Sequence, residues 1–194
     1  KLCRDPGLCA EVAVTAQKRL GVDAAIVFSD ILLALEPLGF RLEYPPGGPK
    51  ILNPVHRPSC LKRLHEADPE ALAFIAEAVR LTREALPKDI PLIGFSGAPF
   101  TLAAYAIEGG SSRNFQKTKA FMYRHPQAWN ELLGMLSRAL IGLLKAQAAS
   151  GAKALQLFDS WVGCLGPADY RTHVLPHTRR VIRALLKGVP VIHF

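Results

Sequence analysis

One alternation recurs four times along this chain and constrains its fold more than any other feature. A helical segment closes near Gly or Pro, and a short apolar run follows. The runs are GVDAAIVFSD (21–30), DIPLIGFSG (89–97), GAKALQLFDSW (151–161) and GVPVIHF (188–194). Their cores lack polar alternation, which predicts strands buried on both faces, the condition of a parallel sheet. Between them, PGLCAEVAVTAQKRL predicts a helix with Leu8, Val12, Ala16 and Leu20 as its apolar stripe. In DPEALAFIAEAVRLTREAL, Asp68 is a candidate N-cap with Pro69 at the first helical position. PQAWNELLGMLSRALIGLLKAQAAS predicts a long helix stopping at Gly151. Pro176 should break or kink the segment 167–187. The stretch 41–58, rich in Pro and Gly, reads as a hairpin or excursion rather than a linker.

Helix alternating with parallel strand leaves two architectures, the open doubly wound sheet and the closed eightfold barrel. No Gly-rich dinucleotide fingerprint or phosphate loop follows any run, which weighs against a nucleotide-binding open sheet. Four strands are too few to close a barrel of eight, so a barrel requires more chain on at least one side. A length of 194 residues suits one domain.

Composition narrows the function classes. With 49% hydrophobic and 21% charged residues the chain has a globular balance. No apolar run has the length of a spanning helix, so no membrane segment is expected. The start lacks both an initiator Met and a secretory core, and the chain is expected to be trimmed or cut from something longer. The four cysteines lack zinc-knuckle or redox spacing and read as reduced thiols of a cytosolic protein. A net charge of +8 raises nucleic acid as a partner, but the basic residues are scattered over helix faces with no basic-aromatic strand. A field that attracts an acidic small molecule fits as well.

Parallel α/β folds gather their sites at the carboxyl ends of the strands. That rule selects Ser29 and Asp30, then Ser96 to Pro99 with Tyr105 behind them, then Asp159, Ser160 and Trp161, then His193. Each has a structural alternative. Asp30 and Asp159 could cap the segments they precede, Ser160 could be a turn residue, and Tyr105 and His193 could be core. The loop EGGSSRNF (108–115) could hold an anion through its backbone N–H groups and Arg113, or act as a mobile lid. No nucleophile elbow and no metal-ligand spacing is present.

VFSDIL, PLIGFSGAPFTLAAYAIEGG, FQKTKAFMYRHP and LQLFDSWVG occur in that order across nearly the whole chain. Together they resemble the uroporphyrinogen decarboxylase family of the haem pathway. The resemblance implies a (β/α)8 TIM-type barrel, with residues 1–194 a single central portion holding about its second to fifth strands. It implies uroporphyrinogen as substrate and loss of CO2 from its four acetate side chains to give coproporphyrinogen, with no metal or organic cofactor. A cytoplasmic homodimer is implied as well. The family's central aspartate matches Asp30, its tyrosine matches Tyr105, and its strand-end serine or threonine matches Ser160. Ser111 stands where the related loop often carries a third glycine. The family's arginine-rich motif and its late histidine have no counterpart here, and His193 is not that histidine.

The implied chemistry gives the acid at position 30 a task. Decarboxylation leaves an electron pair on the acetate methylene, and a pyrrole protonated on carbon can receive it. Asp30 would stabilise that cation and accept hydrogen bonds from the macrocycle N–H groups. Apolar surroundings disfavour an ionised carboxylate, so Ser29 and the substrate's own donors are expected to support it. Tyr105 would orient a substrate side chain or Asp30, and Ser160 would bind a substrate carboxylate. Two rivals stand beside this reading. One is a related barrel methyltransferase using zinc, with Cys164 and His193 as suspects, and a corrinoid or thiol acceptor. The other is a non-catalytic tetrapyrrole-binding module.

Overall fold

A computed structural model describes residues 2–27, 29–185 and 188–194. Residue 28 of the first predicted strand and residues 186–187 of the last predicted helix lie outside the described residues. Each of the four apolar runs contains a strand: β1 (Ala25–Ile26), β4 (Leu92–Gly97), β5 (Ala154–Phe158) and β6 (Val191–His193). All pair in parallel, in the order β1-β4-β5-β6. Each new strand joins the same advancing edge. A doubly wound sheet reverses direction at a switch point, and no reversal occurs among these strands. They form an arc in the manner of a barrel wall. The excursion at 41–58 contains a small antiparallel pair, β2 (Leu42–Glu43) with β3 (Lys50–Ile51).

The local signals explain the helices. In α1 (Pro6–Leu20), Asp5 accepts from the Leu8 N–H at 3.0 Å, Pro6 begins the helix, and Gly21 ends it at φ 62°. The predicted apolar stripe of α1 is wrong by about one residue. Cys9, Ala13, Val14 and Gln17 face the core, while Leu8 and Leu20 are exposed. Side-chain volume misled the reading: α1 lies close against α2 (Ala73–Ala85), and small residues suit that contact. Asp68 caps a short 3-10 turn by accepting from the Glu70 N–H, and α2 follows that turn. After α3 (Pro99–Glu108) and α4 (Gln116–Arg124) comes α5 (Pro126–Ala149), which stops at Gly151, φ 113°. By length and composition α5 could cross a membrane, contrary to the expectation that no segment would qualify. Its apolar residues pack inside instead, with Trp129, Leu132, Leu136, Leu140 and Leu144 fully buried. Beyond the short α6 (Pro167–Asp169), a π-turn at Tyr170–Val174 leads into α7 (Leu175–Leu185). Helical backbone is continuous from Pro167 to Leu185, so Pro176 lies inside the run without ending it, and the π-turn just before it widens the ladder where its N–H is missing.

The sheet's two faces differ. Leu92, Leu155 and Leu157 are buried beneath the helices. On the concave face Ile26 and Ile192 are exposed, and Ala154, Gln156 and Phe158 are half-buried. Burial on both faces, expected from the sequence, is met by β4, whose Phe95 and Gly97 are buried on the concave face, and only on the helix side by the other strands. Gly94 shows how tight that side is. A Cβ there would lie 2.8 Å from both Gln147 Oε1 and Leu155 Cδ2. Gly94→Ala should destabilise the protein by about 1–3 kcal/mol through overpacking, read as a lower urea midpoint with an unchanged slope. An unchanged midpoint would show that the α5 contact yields freely.

Candidate active site

The carboxyl ends of the strands bring most of the selected residues together. Asp30 ends the β1 segment in extended backbone and serves as an N-cap, its Oδ1 accepting from the Leu32 N–H at 2.8 Å. The capping alternative is therefore realised. Capping uses one carboxylate oxygen, and Asp30 remains only partly buried. Its charge reaches three neighbours. Burial raises the pKa of the Tyr105 hydroxyl above its ordinary value, and the Asp30 charge raises it further. The Tyr44 hydroxyl is raised as well, by local desolvation and by the charge of Asp30, although the residue as a whole is 52% exposed. The Cys3 thiol is raised by burial and by Asp30. Tyr105 and Tyr44 consequently stay protonated through neutral pH and can donate hydrogen bonds.

Tyr44 belongs to the hairpin excursion, and nothing in the sequence pattern marked it. Its signal is only visible in three dimensions, where the hairpin folds back beside the helical turn that Asp30 caps. Ser29 does not assist Asp30 as expected. Its hydroxyl donates to the backbone carbonyl of Cys3 at 3.2 Å, which ties the strand end to the N-terminal segment.

Tyr105 projects from α3 onto an aromatic stack. Its ring lies 3.8 Å from that of Trp161, centroid to centroid, at 30° between planes. Phe115 closes on Trp161 at 4.9 Å. Phe115 has φ 50° and ψ 40°, a left-handed backbone that bulky residues avoid. It ends the Gly-Ser loop, whose other end turns at Gly109, φ 84°. Arg113 in that loop is exposed. Ser160, next to Trp161, is exposed too and makes no side-chain hydrogen bond among the described residues. Tyr105 thus lies within the field of the Asp30 charge, and Ser160 is exposed beside the stack.

Asp159 and His193 form a separate pair behind the stack. Asp159 is 2% exposed, and its Oδ1 accepts from Thr101 Oγ1 at 3.1 Å. Its Oδ2 lies 3.3 Å from His193 Nε2. Neither is the cap or core residue the sequence allowed for. Among the described residues no three metal-ligating side chains converge.

An apolar cleft opens beside Asp30, between Val12, Ala13 and Ala16 of α1 and the sheet residues Ile26, Val27, Phe95 and Phe158, with Ser29 and Ile31 at its edge. Asp30, between the lining residues Ser29 and Ile31, sets an acid beside these apolar walls, an arrangement that suits a largely apolar ligand with donor groups.

Comparison with known proteins follows the same direction. A sequence profile of the family described as Uroporphyrinogen decarboxylase (URO-D) matches residues 1–194. The chain is 50% identical over 197 aligned residues to the uroporphyrinogen decarboxylase of Sorangium cellulosum, covering 100% of the chain and 56% of that relative. It is 48% identical to that of Carboxydothermus hydrogenoformans, with the same coverage. Against that of Streptomyces coelicolor it is 50% identical over 99% of the chain and 54% of the relative. The chain therefore spans about half the length of the curated relatives it matches. Among solved structures, a methyltransferase from Methanosarcina mazei aligns with a TM-score of 0.72 at 15% identity, covering 98% of the chain and 56% of that structure. At that identity the likeness concerns the fold alone.

Proposed function

Because the chain belongs to the uroporphyrinogen decarboxylase family, we propose that the full-length protein removes CO2 from the four acetate side chains of uroporphyrinogen to give coproporphyrinogen. The observation that carries this reading is the Asp30 charge felt at the half-buried Tyr105, both on segments that follow strand ends, with an apolar cleft beside Asp30. In the reaction, a pyrrole ring carbon takes up a proton and the ring becomes cationic. The bond to the acetate carboxylate breaks, and its electron pair flows into the ring as CO2 leaves. The exocyclic methylene then takes up a proton and becomes a methyl group, and the ring carbon gives its proton back. No electron acceptor is needed, so the chemistry can run without a metal or organic cofactor.

In this scheme Asp30 stays ionised, accepts from the macrocycle N–H groups and stabilises the cation. Tyr105, a neutral donor, orients Asp30 or a substrate carboxylate. Ser160 at the rim binds a propionate or acetate. The net charge of +8 favours approach of a polyanionic substrate. Family membership is the support for a homodimer in the cytoplasm.

Incubating the full-length protein with uroporphyrinogen under reducing conditions should accumulate coproporphyrinogen, with no added metal or cofactor, as followed by chromatography of the oxidised products. Unaltered uroporphyrinogen after many equivalents of time at saturating enzyme would overturn the assignment.

A further inference from the structure

We propose that Asp159 is a positioning residue for Tyr105, acting through Thr101 and Trp161. This rests on the role given to Tyr105 above. Asp159 is a carboxylate almost wholly removed from water. Burying a charge is costly unless its oxygens are bonded. Here both oxygens are used, one by the Thr101 hydroxyl at 3.1 Å and one facing His193 Nε2 at 3.3 Å. Among the described residues the titratable side chain facing it is His193, not a lysine or arginine. The burial of Tyr170 and the Asp159 charge together raise that tyrosine's pKa, so the charge is felt on the α6–α7 side as well.

The bonded neighbours lead outward to the candidate site. By donating its proton to Asp159, the Thr101 hydroxyl leaves its oxygen free as an acceptor. The backbone N–H of Trp161 reaches it at 3.4 Å. The Asp159 N–H donates to the Phe194 carbonyl at 2.7 Å, and its own carbonyl accepts from the Val162 N–H at 3.0 Å. The turn 159–162 is thereby held at both ends. Its product is the half-buried Trp161 indole, the face on which Tyr105 lies. Thr101 and Tyr105 both belong to α3, so one hydroxyl ties the helix carrying the tyrosine to the turn carrying its partner ring. A buried acid would be a wasteful core residue. As the anchor of this contact it sets where the Tyr105 hydroxyl points.

The test uses the full-length protein and two readouts. Asp159→Asn and the near-isosteric Thr101→Val should each lower kcat by roughly 10- to 100-fold through misplacement, with little change in KM. In a cycle with Tyr105→Phe, the Asp159→Asn effect should largely vanish, because its route runs through that hydroxyl. Additive losses would overturn the proposal. The second readout is independent of turnover. Trp129 is fully buried, so acrylamide quenching of tryptophan emission reports mainly on Trp161. Both variants should steepen the quenching slope, and an unchanged slope in either would overturn the proposal. Should the wild-type protein fail to decarboxylate uroporphyrinogen, the functional assignment falls while the quenching result still decides the role of Asp159. If Asp159→Asn does not fold, Thr101→Val carries both measurements.

Discussion

Asp30→Asn in the full-length protein is expected to lower turnover about a thousandfold while tetrapyrrole binding changes only a few-fold. Two unit charges ~4 Å apart interact by ~4 kcal/mol at an effective dielectric of ~20, and each ~1.4 kcal/mol of barrier is a factor of ten in rate. The substitution removes that charge and little else. Asparagine is as good an N-cap as aspartate, so the hydrogen bond to the Leu32 N–H persists. Asp30→Ala would add a capping loss of about 1 kcal/mol and blur the result. Comparison of kcat, with porphyrin affinity measured separately by fluorescence, separates the two roles. A variant retaining a tenth or more of wild-type kcat would mean that the transient cation is stabilised elsewhere.

Gln147→Leu is expected to be the most damaging single change to stability described here, at about 2–5 kcal/mol. The Gln147 side chain is fully buried on α5 and behaves like a missing piece of strand. Its Oε1 accepts from the Phe95 N–H at 2.9 Å, and its Nε2 donates to the Phe95 carbonyl at 2.8 Å. On the β1 side of β4 the Val27 N–H donates to the Ile93 carbonyl at 3.1 Å, and one repeat further along Gln147 satisfies both backbone groups of Phe95, as a neighbouring strand would. Leucine fits the volume but strands a buried donor and a buried acceptor, each costing about 1–3 kcal/mol. Against a typical total of about 5–15 kcal/mol this is a large fraction. Urea denaturation monitored by circular dichroism measures it, and a loss under about 1 kcal/mol would show that water or another group reaches Phe95.

The strand runs, the hairpin at 41–58, the Asp68 cap and the Gly151 stop were legible in the sequence because each rests on local chemistry. The burial of α1 was not, since which of two neighbouring stripes faces inward depends on how closely α2 approaches. The candidate site divides along the same line. Strand-end position and family resemblance singled out Asp30, Tyr105 and Ser160 as candidates. Tyr44 and the ring of Phe115 come from loops, and no period in the sequence tells where a loop will fold back. Asp159 was visible as a strand-end acid, yet its partners Thr101 and His193 stand 58 and 34 residues away in sequence. Only the sheet register, which sets Leu157 opposite His193, brings them together.

The left-handed backbone at Phe115 has a consequence for anyone who engineers this scaffold. A bulky L-residue in that conformation costs roughly 1–2 kcal/mol relative to one that favours it. Selection for heat resistance alone would therefore drift toward glycine or asparagine at 115, and each gain in melting temperature there would strip the outer ring from Trp161.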